Sequence, residues 1–176
     1  MIRFHLNKDE ITYSKDVINF NVIKKFPEKL QQKLWENHCE YDINLDVSKE
    51  NFINFMQFLI DGESFPKLTV ENAYDYILLK EEFDYTPEFL TNPENQEIIH
   101  LSSLIKMKTE DDKTISEKHI SKNLDIFLDK YEKEMLKLNF NSLYNIFYDE
   151  SRILKNQEKA YQFIIKGKKE NENFSI

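Results

Sequence analysis

The chain has 176 residues, 40% hydrophobic and 32% charged, with a formal net charge of -8, 14 Phe, 9 Tyr and only 2 Gly. That length suffices for one ordinary domain, or a small domain with a helical extension, and for an aromatic-rich core that needs no disulfide or metal staple. So few glycines leave neither a GxGxxG nor a GxxxxGKS/T phosphate loop, and the acidic balance argues against nucleic acid, whose binders carry a basic excess that releases counterions.

The first predicted element is a β-hairpin. Residues 2 to 6 alternate, NKDE at 7 to 10 is a polar turn, and ITY returns, placing Ile2, Phe4 and Leu6 on one face and Ile11 and Tyr13 on the second strand. This opening has no apolar region of signal-peptide length, and nowhere do about 18 apolar residues run together as a membrane span needs. From Asp16 to Trp35 an interrupted helical period follows. Val17, Ile18 and Phe20 line a first helix, and Pro27 opens a second carrying Leu30, Leu34 and Trp35. YDINLDV at 41 to 47 alternates again and reads as a strand.

Ser48 then stands as the N-cap of a helix in which Phe52, Phe55, Met56 and Leu59 recur at i, i+3, i+4 and i+7, with Gly62 as its left-handed terminus. Ile53, Phe58 and Ile60 widen the stripe, so that helix has to be covered on several sides. Thr69 caps the next predicted helix, with Val70, Ala73, Tyr74, Ile77 and Leu78 inward, and Pro87 starts a short turn of helix. TNPENQEIIH at 91 to 100 marks a boundary, and the polar KMKTEDDKTISEKH beyond it makes residues 93 to 122 a linker or exposed loop. Leu124, Phe127, Leu128, Tyr131, Met135 and Leu138 predict one long amphipathic helix. NSLYNIFYDES and NQEKAYQFIIKGK add two more, the last ending at Gly167 and leaving 169 to 176 as a flexible tail.

The succession of hairpin, helices, strand and a helix pair joined by a glycine turn resembles the BTB/POZ fold. YDINLDVSKENFINFMQFLIDGESFPKLTVENAYDYILLKEEFDY carries most of the resemblance, with Phe52, Phe55, Phe58, Gly62, Glu71 and Asn72 on the family's pattern. It spans residues 1 to 92. LKLNFNSLYNIFYDESRILKNQEKAYQFII, within 123 to 168, resembles the BACK region that follows such domains, in the Asn-, Lys- and Ile-rich phrasing of protist members. The expected architecture is α+β: a BTB/POZ-like small sheet with helical hairpins, then an all-α BACK-like extension. An all-helical bundle is the structural alternative.

The resemblance implies protein partners and two surfaces. Dimerisation in the family uses the first strand and first helices, here Ile2, Phe4, Val17, Ile18 and Phe20. Cullin-recruiting relatives carry an apolar-x-Glu motif before the edge strand, for which LWENHCEYDINLD offers Leu34, Trp35 and Glu36. Trp35 also stands by itself as a candidate anchor, because buried aromatics dominate interface energetics.

Catalytic patterns are sparse. Cys39, the single cysteine, excludes an internal disulfide and suits a reducing cytoplasm. Its neighbour His38 raises a small cysteine hydrolase as a rival reading, although adjacent side chains rarely point at each other as a nucleophile and base must. His5, His38, His100 and His119 are scattered, without HExxH or CxxC, and Asp111-Asp112 and Asp149-Glu150 lack EF-hand spacing, so no metal or other cofactor is expected. The expectation is a cytoplasmic, non-enzymatic interaction module, a scaffold or structural component that binds itself or another protein. Nucleic acid, membrane and small-molecule substrate are not expected. A cullin ubiquitin-ligase adaptor is the alternative.

Overall fold

The computed structural model describes residues 1–7, 9–36, 40–63, 66–107 and 113–170. The fold is α+β, a small mixed sheet followed by a helical extension, which removes the all-helical bundle. It divides into two compact units, one formed by residues 1–68 and 72–92, the other by 69–71 and those from 93 onward. Among the described residues no helix is long and apolar enough to cross a membrane.

In the first unit, β1 (Ile2–Leu6) and β2 (Asp9–Tyr13) pair antiparallel, with Phe4 opposite Ile11. β3 (Glu40–Ile43) lies on the other side of β1 and runs parallel to it, Phe4 opposite Tyr41. A parallel neighbour cannot be reached by a tight turn, so the chain crosses over through α1 (Phe20–Ile23) and α2 (Glu28–Glu36). β3 is shorter than the strand expected over 41 to 47. The period-2 alternation of β1 buries Ile2, Phe4 and Leu6, as the sequence predicts, and leaves Arg3 outside, paired with Glu40 at 2.6 Å.

The core of this unit is a run of touching rings. Tyr13 and Tyr41 meet Phe4 at 6.0 and 6.1 Å, and Phe52 meets it at 5.1 Å. Tyr41 continues to Phe83, Phe83 to Phe55, Phe55 to Tyr76 and Tyr76 to Phe89, with centroids 5.6 to 6.3 Å apart. The Tyr41 hydroxyl donates to Glu82 Oε1 at 2.5 Å; burial and this carboxylate push its pKa up.

Half of those rings come from α3 (Lys49–Asp61) and α4 (Ala73–Phe83). α3 has the expected ends: the Ser48 hydroxyl accepts from Asn51 N–H at 3.2 Å, and Gly62, at φ 74°, takes the left-handed terminal position. α4 differs from its expected register. It begins at Ala73, not after Thr69, and turns Ala73, Tyr76, Leu79 and Phe83 inward, leaving Tyr74, Ile77 and Leu78 half-buried. Asp75 is buried on the same side, accepting from Ser48 N–H at 3.0 Å and Asn51 Nδ2 at 2.7 Å. The α4 carboxylate thus caps α3, where the free N–H groups and the positive dipole end favour an anion.

Val70, expected on α4, is buried in the core of the second unit instead. Around it Glu71 is held by Lys106, whose Nζ donates to the Glu71 carbonyl, and by Lys137 at 3.9 Å from Oε1. The rest of that core comes from α6 (Gln96–Lys106), α7 (Lys113–Lys122), α8 (Leu124–Lys130), α9 (Glu132–Met135), α10 (Phe140–Tyr148) and α11 (Gln157–Glu170), α5 being Glu88–Thr91 of the first unit. Residues 93–107 and 113–122 are therefore not the exposed link expected: α6 and α7 supply Leu101, Leu104 and Ile120 to the core, with Ser102, Ser103, Ser116 and Ser121 buried beside them, while 108–112 lie outside the described residues. Part of their polarity comes from these small serines, which are buried with the apolar residues.

The long helix expected over 124 to 138 breaks at Tyr131, whose backbone (φ -129°, ψ 27°) leaves the helical region between α8 and α9. α11 runs through Gly167 to Glu170 instead of stopping at the glycine. Asp125 of α8 anchors the approach to α11, accepting from Lys155 N–H at 2.8 Å and Asn156 N–H at 3.2 Å. The tail beyond residue 170 lies outside the described residues.

Replacing Asp75 by Ala strips the α3 terminus of a charged acceptor in a buried setting. The expected cost is about 2 kcal/mol, read as a lower urea midpoint of Trp35 fluorescence, the single tryptophan being in this unit. An unchanged midpoint would mean that water replaces the carboxylate without loss.

Candidate interaction cleft

The interrupted helical pattern between residues 14 and 36 folds into two short turns and one helix, and the interruptions decide which apolar residues face outward. Val17 and Ile18 N–H groups both donate to the Ser14 carbonyl, at 3.2 and 3.0 Å, in a turn that buries Ile18 and exposes Val17. The Asn19 side chain then caps α1, accepting from Asn21 and Val22 N–H at 3.0 and 3.2 Å. One residue later Phe20 points to solvent while Ile23 points inward. Gln31 closes the α1–α2 turn by donating to the Phe26 and Lys24 carbonyls at 2.7 and 3.3 Å. In α2, Leu30 and Leu34 are four apart and lie on the buried face; Trp35 follows about 100° round the helix and comes out beside Phe20.

The two exposed rings meet edge to face at 5.7 Å, and Lys24 Nζ sits 4.3 Å above the Phe20 ring centroid. These contacts fix the orientation of Phe20 although it is 54% exposed, as is Trp35. Below them a cleft of about 310 Å³ opens over buried Ile2, Ile18 and Ile23, with Met1, Phe20 and Trp35 as its walls and Lys15 and Asn19 as its polar members. Among the described residues no carboxylate, imidazole, thiol or hydroxyl lines it. It offers an apolar floor and two aromatic walls, with the Lys15 ammonium and the Asn19 amide at its edge.

The candidate residues thus separate. Ile2, Phe4 and Ile18 of the expected dimerisation set are core; Ile2 and Ile18 reach the surface only as the cleft floor, and Phe4 is fully enclosed by rings. Val17 and Phe20 are exposed. Of Leu34, Trp35 and Glu36, the first is 1% exposed, so it holds α2 onto the core and cannot touch a partner. A Leu34→Asp substitution would report unfolding, not binding. Trp35 and Glu36 remain available. His38 and Cys39, the pair behind the hydrolase reading, lie outside the described residues, as do Asp111 and Asp112.

A second feature was invisible in the sequence. His100 of α6 and His119 of α7, scattered along the sequence, stack at 4.1 Å with 26° between the rings, and His100 Nδ1 lies 3.0 Å from Ser116 Oγ. Burial, then the neighbouring His119, drives the His100 pKa down to about 4, against the opposing pull of Glu97. Burial also lowers His119, Glu97 again opposing and Lys122 assisting. The pair is neutral at pH 7. Among the described residues no group of three or more His, Cys, Asp or Glu is arranged to hold a metal ion.

No protein-family model, characterised protein or solved structure matches the chain.

The histidine pair makes a pH dependence predictable. Both imidazoles are depressed in the folded state, so the unfolded chain binds more protons as acid is added. Their contribution to stability is whole above about pH 6.5 and is lost as the pH falls towards 4. A His100→Gln, His119→Gln double variant should lose less stability over that interval than the wild type, measured by hydrogen exchange of α6 and α7 amides. Parallel curves for the two proteins would deny the pair any linkage.

Proposed function

We propose that the chain is a non-enzymatic protein–protein interaction module, a scaffold or structural component that associates through the Phe20–Trp35 cleft. The observation that carries this reading is the cleft itself: two large aromatic side chains, each half in solvent, meet edge to face over an apolar floor. Two fixed rings lose little conformational freedom on binding, and aromatic anchors of this kind supply most of the energy of interfaces that use them. The BTB/POZ-like and BACK-like character of the chain rests on its sequence pattern. A second copy is the occupant that pattern implies, because the first strand and first helices form the self-associating face in that family. An isologous contact would set each Trp35 against the other copy's cleft.

Light scattering of the purified full chain across a concentration series tests this. The expected mass is twice 21.3 kDa, falling to the monomer in Phe20→Asp and in Trp35→Ala. Both positions are exposed, so the thermal stability of the monomeric variants should stay within about 0.5 kcal/mol of the wild-type fold. A wild-type monomer at every concentration removes self-association. A dimer unaffected by either substitution places the interface elsewhere.

A further inference from the structure

We propose that the cavity between α7 and α10 receives the arginine side chain of a partner protein. This goes beyond the interaction module proposed above and concerns a surface in the other unit. α10 has two unlike faces. Leu143, Ile146 and Phe147 are buried, whereas Phe140, Tyr144 and Tyr148 recur every fourth residue on the outside. These outer rings touch in series, Phe140 to Tyr144 at 6.1 Å and Tyr144 to Tyr148 at 4.5 Å, the latter pair stacked at 23°. Stacking against each other fixes flat aromatic faces in solvent. Such faces carry the negative end of the ring quadrupole and attract cations.

Beside Tyr144 and Tyr148 lies a cavity of about 360 Å³, ample for one long side chain. Three carboxylates line it, Glu117 from α7 and Asp149 and Glu150 past the end of α10, against one ammonium, Lys118. Glu117 is the telling member. It is only 8% exposed, and among the described residues its one side-chain partner is the neutral amide of Asn145, which donates to Oε2 at 2.9 Å. Among the described residues no lysine or arginine pairs with it. A carboxylate so far withdrawn from water is costly unless a cation joins it, and here the open side of the carboxylate is the cavity. Asp149 is held ionised, its pKa lowered by the hydroxyl and N–H of Ser151.

Those parts select a guanidinium. A flat cation stacks on a tyrosine face while its fork of donors reaches a carboxylate, whereas an ammonium can do only one of these well. An anionic ligand, including a nucleic-acid phosphate, meets three like charges. A neutral aromatic would fill the space but leave Glu117 unpaired.

The test is amide chemical-shift mapping of the full chain titrated with the capped peptide Gly-Ser-Arg-Ser-Gly, alongside the same peptide with citrulline in place of arginine. Saturable shifts confined to α7, α10 and the turn after it are expected with arginine and none with citrulline. Affinity should fall at least tenfold in Glu117→Gln, which keeps an acceptor for Asn145, and in Tyr148→Ala, which alters only an exposed ring. Shifts spread over the acidic surface would overturn the proposal. So would equal binding of the citrulline peptide, undiminished binding by Glu117→Gln, or displacement of the peptide by equimolar spermine, which would assign the cavity to a free polyamine.

Discussion

The first unit depends on the position of one ring. Phe4 sits at the centre of the middle strand and touches Tyr13 of β2, Tyr41 of β3 and Phe52 of α3. Every neighbouring element therefore has its register defined against the same side chain. A slip of one residue in β1 would put Arg3 or His5 in that place and turn Phe4 to solvent, so the wrong pairings are heavily penalised. The run of rings onward from Tyr41 extends the same constraint into α4 and α5. With the strands pinned, the crossover from β2 to β3 has fixed ends, and Phe20 and Trp35 come together because the chain between them must turn back within a few residues.

Parts of this were legible because one local signal dominated. The hairpin shows a clean period of two, and α3 has a serine cap at one end and glycine at the other. α4 was not, since its apolar residues run nearly all the way round: Val70, Ala73, Tyr74, Ile77 and Leu78 make as good a stripe as Ala73, Tyr76, Leu79 and Phe83. What chooses between them is Asp75, whose burial is offset by a helix end 24 residues away. The break at Tyr131 has neither proline nor glycine to announce it. The serines of α6 and α7 have the composition of a loop and the size of helix-packing residues, and only the packing distinguishes the two.

The candidate site was legible as residues and illegible as a place. Resemblance put Phe20 in one surface and Trp35 in another; the structure joins them in a single cleft and removes Leu34, one position from Trp35, into the core. Helical geometry separates such neighbours by about 100°, which a linear motif ignores. Glu117 is a harder case. Its sequence context, SEKH, reads as part of an exposed loop, and its burial arises from α10 packing on α7.

The placement of Val70 has a consequence for how this chain can be divided. The polypeptide enters the first unit, gives three residues to the second, returns to lay down α4 and α5, and only then leaves for good. A cut at residue 92 would look clean on a linear map, yet it would strand Val70 and Glu71 on the wrong fragment. The C-terminal piece would then lack a plug for its core and the acceptors that Lys106 and Lys137 hold. The two units are modular in space but spliced along the chain, so neither can be transplanted, duplicated or lost by a single recombination event without leaving a defect in the other.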